Sequence, residues 1–421
     1  MKLAAVIAEY NPFHYGHQYQ LEEIRKRSDA DAIIVLMSGN FVQRGAPALL
    51  DKYYRASLAL EGGADLVIEL PVIFALGSAR YFSLGALSIL NRLPIDYLCF
   101  GAEEKDPAKL KAAGNFFAEE SPAYQKLLQE KLHEGFSFPA ARAKAASCIL
   151  PETYPDLFSD REALEALLHA PNNILAISYL SALKQSGSSI KELIIPRKGS
   201  GYHEEDLHQL ASASAIRKLL FSDCRESELK SSLCKALPAK TSSLLLDAKE
   251  KLLLQSEEDY LSMIHYALLC ANSASLQAIE GVSAALASRL QKKRETKGSY
   301  FDLLASYVNK SVTALSVSRI LFRLLLQIPK SLQEEALFTP EGSYAHILGV
   351  KKDSLSLLSY LKEKADLPLI INPSADSKKL TSLQTVIFEK DLFASRLYQT
   401  VASSKSGLDF PNDYQRHLLY K

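Results

Sequence analysis

Through the first two hundred residues, short apolar runs alternate with stretches whose apolar positions recur every three or four residues. Leu3 to Ala8, Ala32 to Met37, Leu66 to Leu70 and Tyr97 to Gly101 have the length and composition of strands buried on both faces. Between them, His17 to Arg27, Asp51 to Glu61 and Arg80 to Asn91 carry helical periodicity. This alternation predicts an α/β fold with a parallel sheet and helices on both faces. A mostly helical insert follows from about Pro107 to Leu168, and the sheet resumes at Ile190 to Ile195 after a helix starting near Asn172. Beyond Ser222 the pattern changes to long leucine-rich helices, beginning with Glu226 to Leu237 and Thr241 to Leu254. The polar break SDCRES places a boundary near Asp223, between a unit at 1–222 and a mostly helical region at 223–421. A helix at Ser354 to Lys364 and a short strand-like element at Leu367 to Ile371 lie in that second region.

A chain of 421 residues is long enough for two to three domains, each with its own core. Its net charge of +1 provides no overall basic field, so contact with RNA would need a local patch. Cys99, Cys148, Cys224, Cys234 and Cys270 are scattered without a C-x-x-C pair. They read as reduced, mostly packed thiols rather than metal ligands. Lys2 leads directly into a strand, Glu9 ends the apolar run, and no stretch approaches the ~20 apolar residues that span a bilayer. A cytoplasmic protein without a membrane partner is expected.

The candidate chemistry lies at the ends of the strands. In AVIAEYNPFHYGHQYQL, His14 and His17 flank Gly16 where the first strand hands over to a helix. Free backbone N–H groups and the helix dipole attract phosphate at such a place. Gly16 lets the backbone approach a ligand closely, and both imidazoles are able to donate to phosphoryl oxygens as charge builds during displacement at an α-phosphate. The plainer alternative is a pair of helix-capping histidines without a ligand. Ligands of parallel sheets collect outside the carboxyl ends of the strands, which groups His14, Ser38 to Arg44, Pro71 and Gly101 around one crevice.

The strings AEYNPFHYGH, MSGNFVQRGAPA with DKYYRASLAL, GADLVIELP, PNNIL and SASAIRKLL occur in this order over most of residues 1–220. They resemble the bacterial tRNA(Met) cytidine acetate ligase family, within the nucleotidyltransferase superfamily that bears a His-x-Gly-His signature. SRILFRLLLQI, YAHILGV and DLFASRLYQ extend the likeness more weakly into the C-terminal half. The resemblance implies a Rossmann-like sheet of the nucleotidyltransferase type with a helical insert and a mostly helical C-terminal region that binds tRNA. It also implies an ATP-dependent ligase with His14 and His17 as catalytic residues.

By the same resemblance, ATP is bound by Ile7, Ala8, Glu9, Tyr10, Asn11, Pro12, Phe13, His14, Tyr15, Gly16, His17, Gln18, Tyr19 and Gln20, together with Gly101, Asn172, Asn173, Arg197 and Lys198. SASAIRK holds the chain position of the superfamily's second phosphate-binding signature and adds Ser212, Ser214 and Arg217; a serine there would also cap a helix. Either Asn172 or Asn173 is the direct contact. Mg²⁺ would come with the triphosphate, since no dedicated carboxylate cage is visible. The partners implied are acetate and elongator tRNA(Met), not DNA. Gln43, Arg44 and Lys52, beside Arg55, fall near the crevice and are candidates for RNA contact. Farther on, Arg289 and Lys293 of a basic stretch, and Arg319 with Arg323 on one helix face, are further candidates. Two other functions fit the residues less well: a small-molecule adenylyltransferase, which would not need so long a helical extension, and a non-catalytic RNA-binding protein, which would not need the histidines.

Overall fold

The computed structural model describes residues 1–197 and 212–421. The chain opens with β1 (Leu3–Ala8), α1 (Tyr15–Arg27) and β2 (Ala32–Ser38), followed by a small hairpin of β3 (Phe41–Val42) and β4 (Ala46–Pro47). Next come α2 (Lys52–Glu61), β5 (Leu66–Leu70), α3 (Val72–Ala75), α4 (Ala79–Leu90) and β6 (Tyr97–Ala102). The helical insert contains α5 (Pro107–Glu119), α6 (Pro122–His133), α7 (Phe138–Thr153) and α8 (Arg161–His169), and α9 (Pro171–Gln185) leads back to β7 (Lys191–Pro196).

Helices then dominate: α10 (Ala213–Leu220), α11 (Glu226–Ala236), α12 (Ala239–Glu250), α13 (Leu261–Cys270), α14 (Ser273–Gln277), α15 (Ala284–Lys292), α16 (Tyr300–Tyr307), α17 (Ala314–Leu325) and α18 (Lys330–Phe338). The last segment has β8 (Ala345–Val350), α19 (Leu355–Lys364), β9 (Leu369–Ile370), α20 (Pro373–Asp376), the long α21 (Ser382–Ser406) and β10 (Leu419–Tyr420).

The main sheet runs β10-β8-β5-β2-β1-β6-β7, with β9 paired to β8. All its pairings are parallel except β5 with β8, which is antiparallel. β2 is buried along its whole length, as its continuous apolar run requires of a central strand.

The boundary at Ser222 is crossed by the sheet itself, because β8, β9 and β10 all belong to the region beyond it. Sequence reading found β9 but missed β8, a short apolar run whose pairing with β5 is distant in sequence. The halves also share a core, in which Phe41 meets Tyr260, Phe322 and Tyr398 with ring centroids 5.6, 5.7 and 6.4 Å apart. All five cysteines are unpaired, but the expectation of packed thiols holds only for Cys99 and, in part, Cys224; Cys148, Cys234 and Cys270 are exposed, each on a helix with an open face.

A buried polar knot fastens the two halves. Lys52 at the start of α2 places Nζ 2.9 and 2.7 Å from the two carboxylate oxygens of Glu69 on β5 and 2.6 Å from Asp413. His346 of β8 also reaches Glu69, through Oε2, at 2.7 Å. Burial opposes the charged form of Glu69, but Lys52 and then His346 outweigh it and keep the carboxyl below its ordinary range. Lys52 is fully buried and spent in this way, so its assignment to RNA is corrected: a phosphate has no access to it. Removing one partner of a buried ion pair leaves the others charged and unsolvated. Lys52→Met is therefore expected to cost about 3–5 kcal/mol of stability. Urea unfolding of the full chain checks this, and an unchanged midpoint would show that the knot contributes nothing.

Candidate functional site

β1 ends under a turn that the sequence shapes closely. Tyr10 adopts a left-handed backbone conformation with φ 46°, which an L-residue holds only when its surroundings impose it. Its ring is buried against Phe13 and His17, at centroid distances of 4.9 and 4.7 Å. Asn11 Oδ1 accepts the Leu49 N–H at 2.7 Å, which ties the turn to the segment before α2. Tyr10, Asn11, Pro12 and Phe13 thus face the interior and build the turn. Ile7, Ala8, Glu9, Tyr15, Gly16, His17, Gln18, Tyr19 and Gln20 remain partly open at the strand end and on α1.

The two histidines cap α1 and leave a donor over. The backbone N–H of Gly16 donates to His14 Nδ1 at 3.0 Å, and the N–H of His14 donates to His17 Nδ1 at 3.3 Å. The capping role first set against a ligand-binding one is real, and it serves the chemistry. An Nδ1 that accepts carries no proton, so each neutral ring is protonated on Nε2. The rings stack with centroids 3.7 Å apart. Burial, then Arg197, pushes His14 down to about 4. Burial, then His14 and Arg197, holds His17 well below its ordinary value. At neutral pH both rings are uncharged donors. A Cβ on Gly16 would come within 2.9 Å of the His14 ring, so the intervening glycine is needed for this stacking.

Around this pair the remaining candidates divide into two flanks. On one, Gly101 in β6 lies under the side chain of Arg197, which follows β7 and donates to Asn172 Oδ1 at 3.2 Å. Asn172 is partly open, whereas Asn173 is buried and uses its Oδ1 to accept from the backbone N–H groups of Glu103 and Glu104 at 2.9 and 3.0 Å. Glu103, which sequence reading missed, returns the contact by accepting from Asn172 Nδ2 and from the Asn173 N–H at 2.9 Å. Its carboxylate fills the N-terminus of α9; its position just past Gly101, in the string GAEE, was the available signal.

On the other flank, Arg217 of α10 donates to the Asn11 carbonyl at 2.6 Å and to Ser214 Oγ at 3.1 Å. Ser212 is the N-cap of α10, accepting from Ala215 at 3.2 Å. Glu9 accepts the Gln43 N–H at 2.9 Å. Burial raises the Glu9 carboxyl above its ordinary value, against the pull of Arg44 and then Arg217. Lys198 lies outside the described residues.

One further RNA candidate, Arg323, is corrected here, and its neighbour Arg319 is drawn onto the fold. Arg323 is buried and ion-paired with Glu280 on the inner side of α17. Arg319, half-buried, donates to the Gln43 carbonyl at 3.4 Å, while Ser318 Oγ reaches the Gly45 carbonyl at 2.5 Å. Their spacing does put the two arginines on one face, but that face docks onto the loop bearing Gln43 and Arg44. Arg289 and Lys293 also reach backbone carbonyls, of Tyr307 at 2.9 Å and Ser306 at 2.7 Å, although Lys293 is largely exposed.

A family model described as HIGH Nucleotidyl Transferase matches residues 1–410. A tRNA(Met) cytidine acetate ligase of Thermoanaerobacter sp. (strain X514) is 37% identical over 417 residues, 97% of this chain and 98% of the relative. The chain belongs to the tRNA(Met) cytidine acetate ligase family. A second family member, from Acetivibrio thermocellus, is 34% identical over 421 residues, with 97% and 98% covered. The crystal structure of Thermotoga maritima TmcAL bound with alpha-thio ATP superposes with a TM-score of 0.87 at 29% identity, covering 100% of both chains. The overall fold is thus shared with that ligase structure along the full length of both chains.

The depressed histidines have a pH signature. A folded-state pKa below the unfolded value means that the folded protein binds fewer protons, so this stability is present above the ordinary value of 6.5 and is lost as pH falls toward about 4. His14→Asn keeps an N-cap acceptor but removes the titration. Between those limits its stability is expected to fall less steeply than the parent's, by up to about 1.4 kcal/mol per pH unit. Chemical denaturation at a series of pH values checks this; parallel curves would refute a buried neutral His14.

Proposed function

We propose that this chain activates acetate as acetyl-adenylate with ATP and transfers the acetyl group to N4 of the wobble cytidine of elongator tRNA(Met), releasing pyrophosphate and AMP. The observation that carries this reading is the stacked, neutral pair His14 and His17, with each Nε2–H left over at the carboxyl end of β1, in a chain similar along its length to ligases of that name.

The chemistry follows from charge. In the first step an acetate oxygen attacks the α-phosphorus and pyrophosphate leaves, so negative charge accumulates on oxygens beside the rings. Donors fixed in advance by the backbone stabilise that charge without reorganising. Being neutral, they also avoid holding the ground-state triphosphate as tightly as a cation would. Arg197 and Arg217 supply the positive charge from the two flanks, through planar donors suited to phosphate. Asn172 orients Arg197, and Asn173 with Glu103 orients Asn172. In the second step the cytidine amine attacks the acetyl carbonyl and AMP departs. An exocyclic amine delocalised into its ring is a poor nucleophile, which is why a mixed anhydride is needed.

Among the described residues no group of three or more His, Cys, Asp or Glu is placed to hold a metal. Mg²⁺ in this reading arrives with the triphosphate and takes its ligands from phosphate and water. No helix among the described residues is long and apolar enough to cross a membrane.

His14→Asn and His17→Ala are each expected to slow acetate-dependent pyrophosphate exchange by on the order of a hundredfold or more, with His14→Asn folded like the parent. Arg217→Ala should instead weaken ATP binding, read by calorimetry, through loss of a charge-assisted contact. Exchange near the parent rate in both histidine variants would overturn the assignment.

A further inference from the structure

A second feature of the surface lies where the helical insert meets the C-terminal helices. Phe136, in the turn between α6 and α7, has the ammonium of Lys144 4.9 Å from its ring centroid and that of Lys310 4.4 Å away. Lys144 comes from α7 and Lys310 from the bend after α16, so two separate elements deliver like charges to one ring. Both lysines are exposed, and neither has a carboxylate within ion-pair distance among the described residues. The nearest acid in the turn, Glu134, is already paired with Lys131 at 2.6 Å. Two residues on, Phe138 is 56% exposed.

The basic strip continues along the C-terminal region. Lys293 Nζ reaches the Ser306 carbonyl at 2.7 Å and Tyr307 Oη donates to the Lys293 carbonyl at 3.2 Å, which fixes the end of α15 against the segment leading to Lys310. Lys292 and Lys297 are exposed on the same stretch.

An aromatic face offsets some of the repulsion between two ammoniums, but it neutralises neither. Two cations on a half-buried ring, unpaired among the described residues and close in sequence to the exposed Phe138, fit the alternating phosphates and bases of a single RNA strand, whose bases stack on aromatic side chains while lysines follow the backbone. We infer that Phe136, Phe138, Lys144 and Lys310, with the strip through Lys293, form an RNA-contact surface that bridges the insert and the C-terminal helices, a phosphate lying at the two lysines and a base on Phe138. This inference rests on the proposed activity toward tRNA and gives the RNA a place on the chain. It replaces Lys52 and Arg323, whose charges are used inside the fold.

The test uses the full-length chain with Lys144→Glu, Lys310→Glu and Phe138→Ala, and with Lys230→Glu on α11 as a charge control. Filter binding of elongator tRNA(Met) is measured across a salt series, beside acetate-dependent pyrophosphate exchange without RNA. Each lysine reversal is expected to weaken tRNA binding about fivefold to tenfold and to flatten the log–log salt slope by roughly 0.7 to 0.9. Phe138→Ala should weaken binding with the slope unchanged, since it removes stacking and not charge. Exchange should stay at the parent rate in all four variants. A parent that binds tRNA while both lysine variants bind it equally well, with the same slope, would overturn the surface and leave the activity standing. A parent with exchange activity but no tRNA affinity at low salt would instead overturn the proposed RNA substrate, and this surface with it.

Discussion

A guanidinium buried against backbone carbonyls organises the end of the sheet where the candidate site lies. Arg55, from the first turns of α2, donates to the carbonyls of Leu50 at 2.9 Å, Glu9 at 2.7 Å, Ser38 at 3.0 Å, and Gly39. These oxygens lie where β1 and β2 stop and where the segment entering α2 begins, so one planar group gathers three chain segments whose ladders have just ended. Unsatisfied carbonyls at those ends would carry the full cost of burial. With Arg55 in place they become the fixed floor above which Glu9, Tyr10 and the histidine caps are set. Burial pushes the guanidinium below its ordinary value, yet an arginine keeps its proton where a lysine would be pressed to give it up.

The same logic of fixing by backbone runs through the site. His14 and His17 are oriented by amide groups rather than by acids, so their rings stay neutral and their tautomers are determined. A carboxylate partner would have held either ring as a cation and changed the electrostatics of a crevice suited to a triphosphate. Positive charge enters instead from Arg197 and Arg217, each anchored to an oxygen of the site's own framework. Catalytic and structural roles are therefore hard to separate here: the helix caps are the proposed catalytic donors.

Much of this was legible in the chain. Continuous apolar runs gave the strands on both sides of β1, and the topological rule for parallel sheets brought His14, Arg44 and Gly101 to one end. What failed to read through was the fate of charge. Lys52 and Arg323 belong to residue types that are rarely buried, and nothing in their neighbourhoods names the partners Glu69, Asp413 and Glu280 that make burial tolerable. The stretch VSRILFRLL held a hint, because apolar residues surround Arg323 on the helix. β8 was hidden for a related reason: AHILGV resembles any core segment, and only the open edge of β5 decides its use. Asn172 and Asn173 are chemically alike, and which of them faces the crevice was set by Glu103, a tertiary partner.

The placement of Asp413 bears on how such a chain is made. A polypeptide leaves the ribosome from its N-terminus, so Lys52 and Glu69 emerge long before the carboxylate that completes their knot, and β5 emerges long before β8. Until then that end of the sheet has one open flank, and the Lys52–Glu69 pair lacks its second carboxylate. The β5 edge therefore stays open until the final segment docks, and a truncated or stalled chain would be left with an adhesive sheet edge.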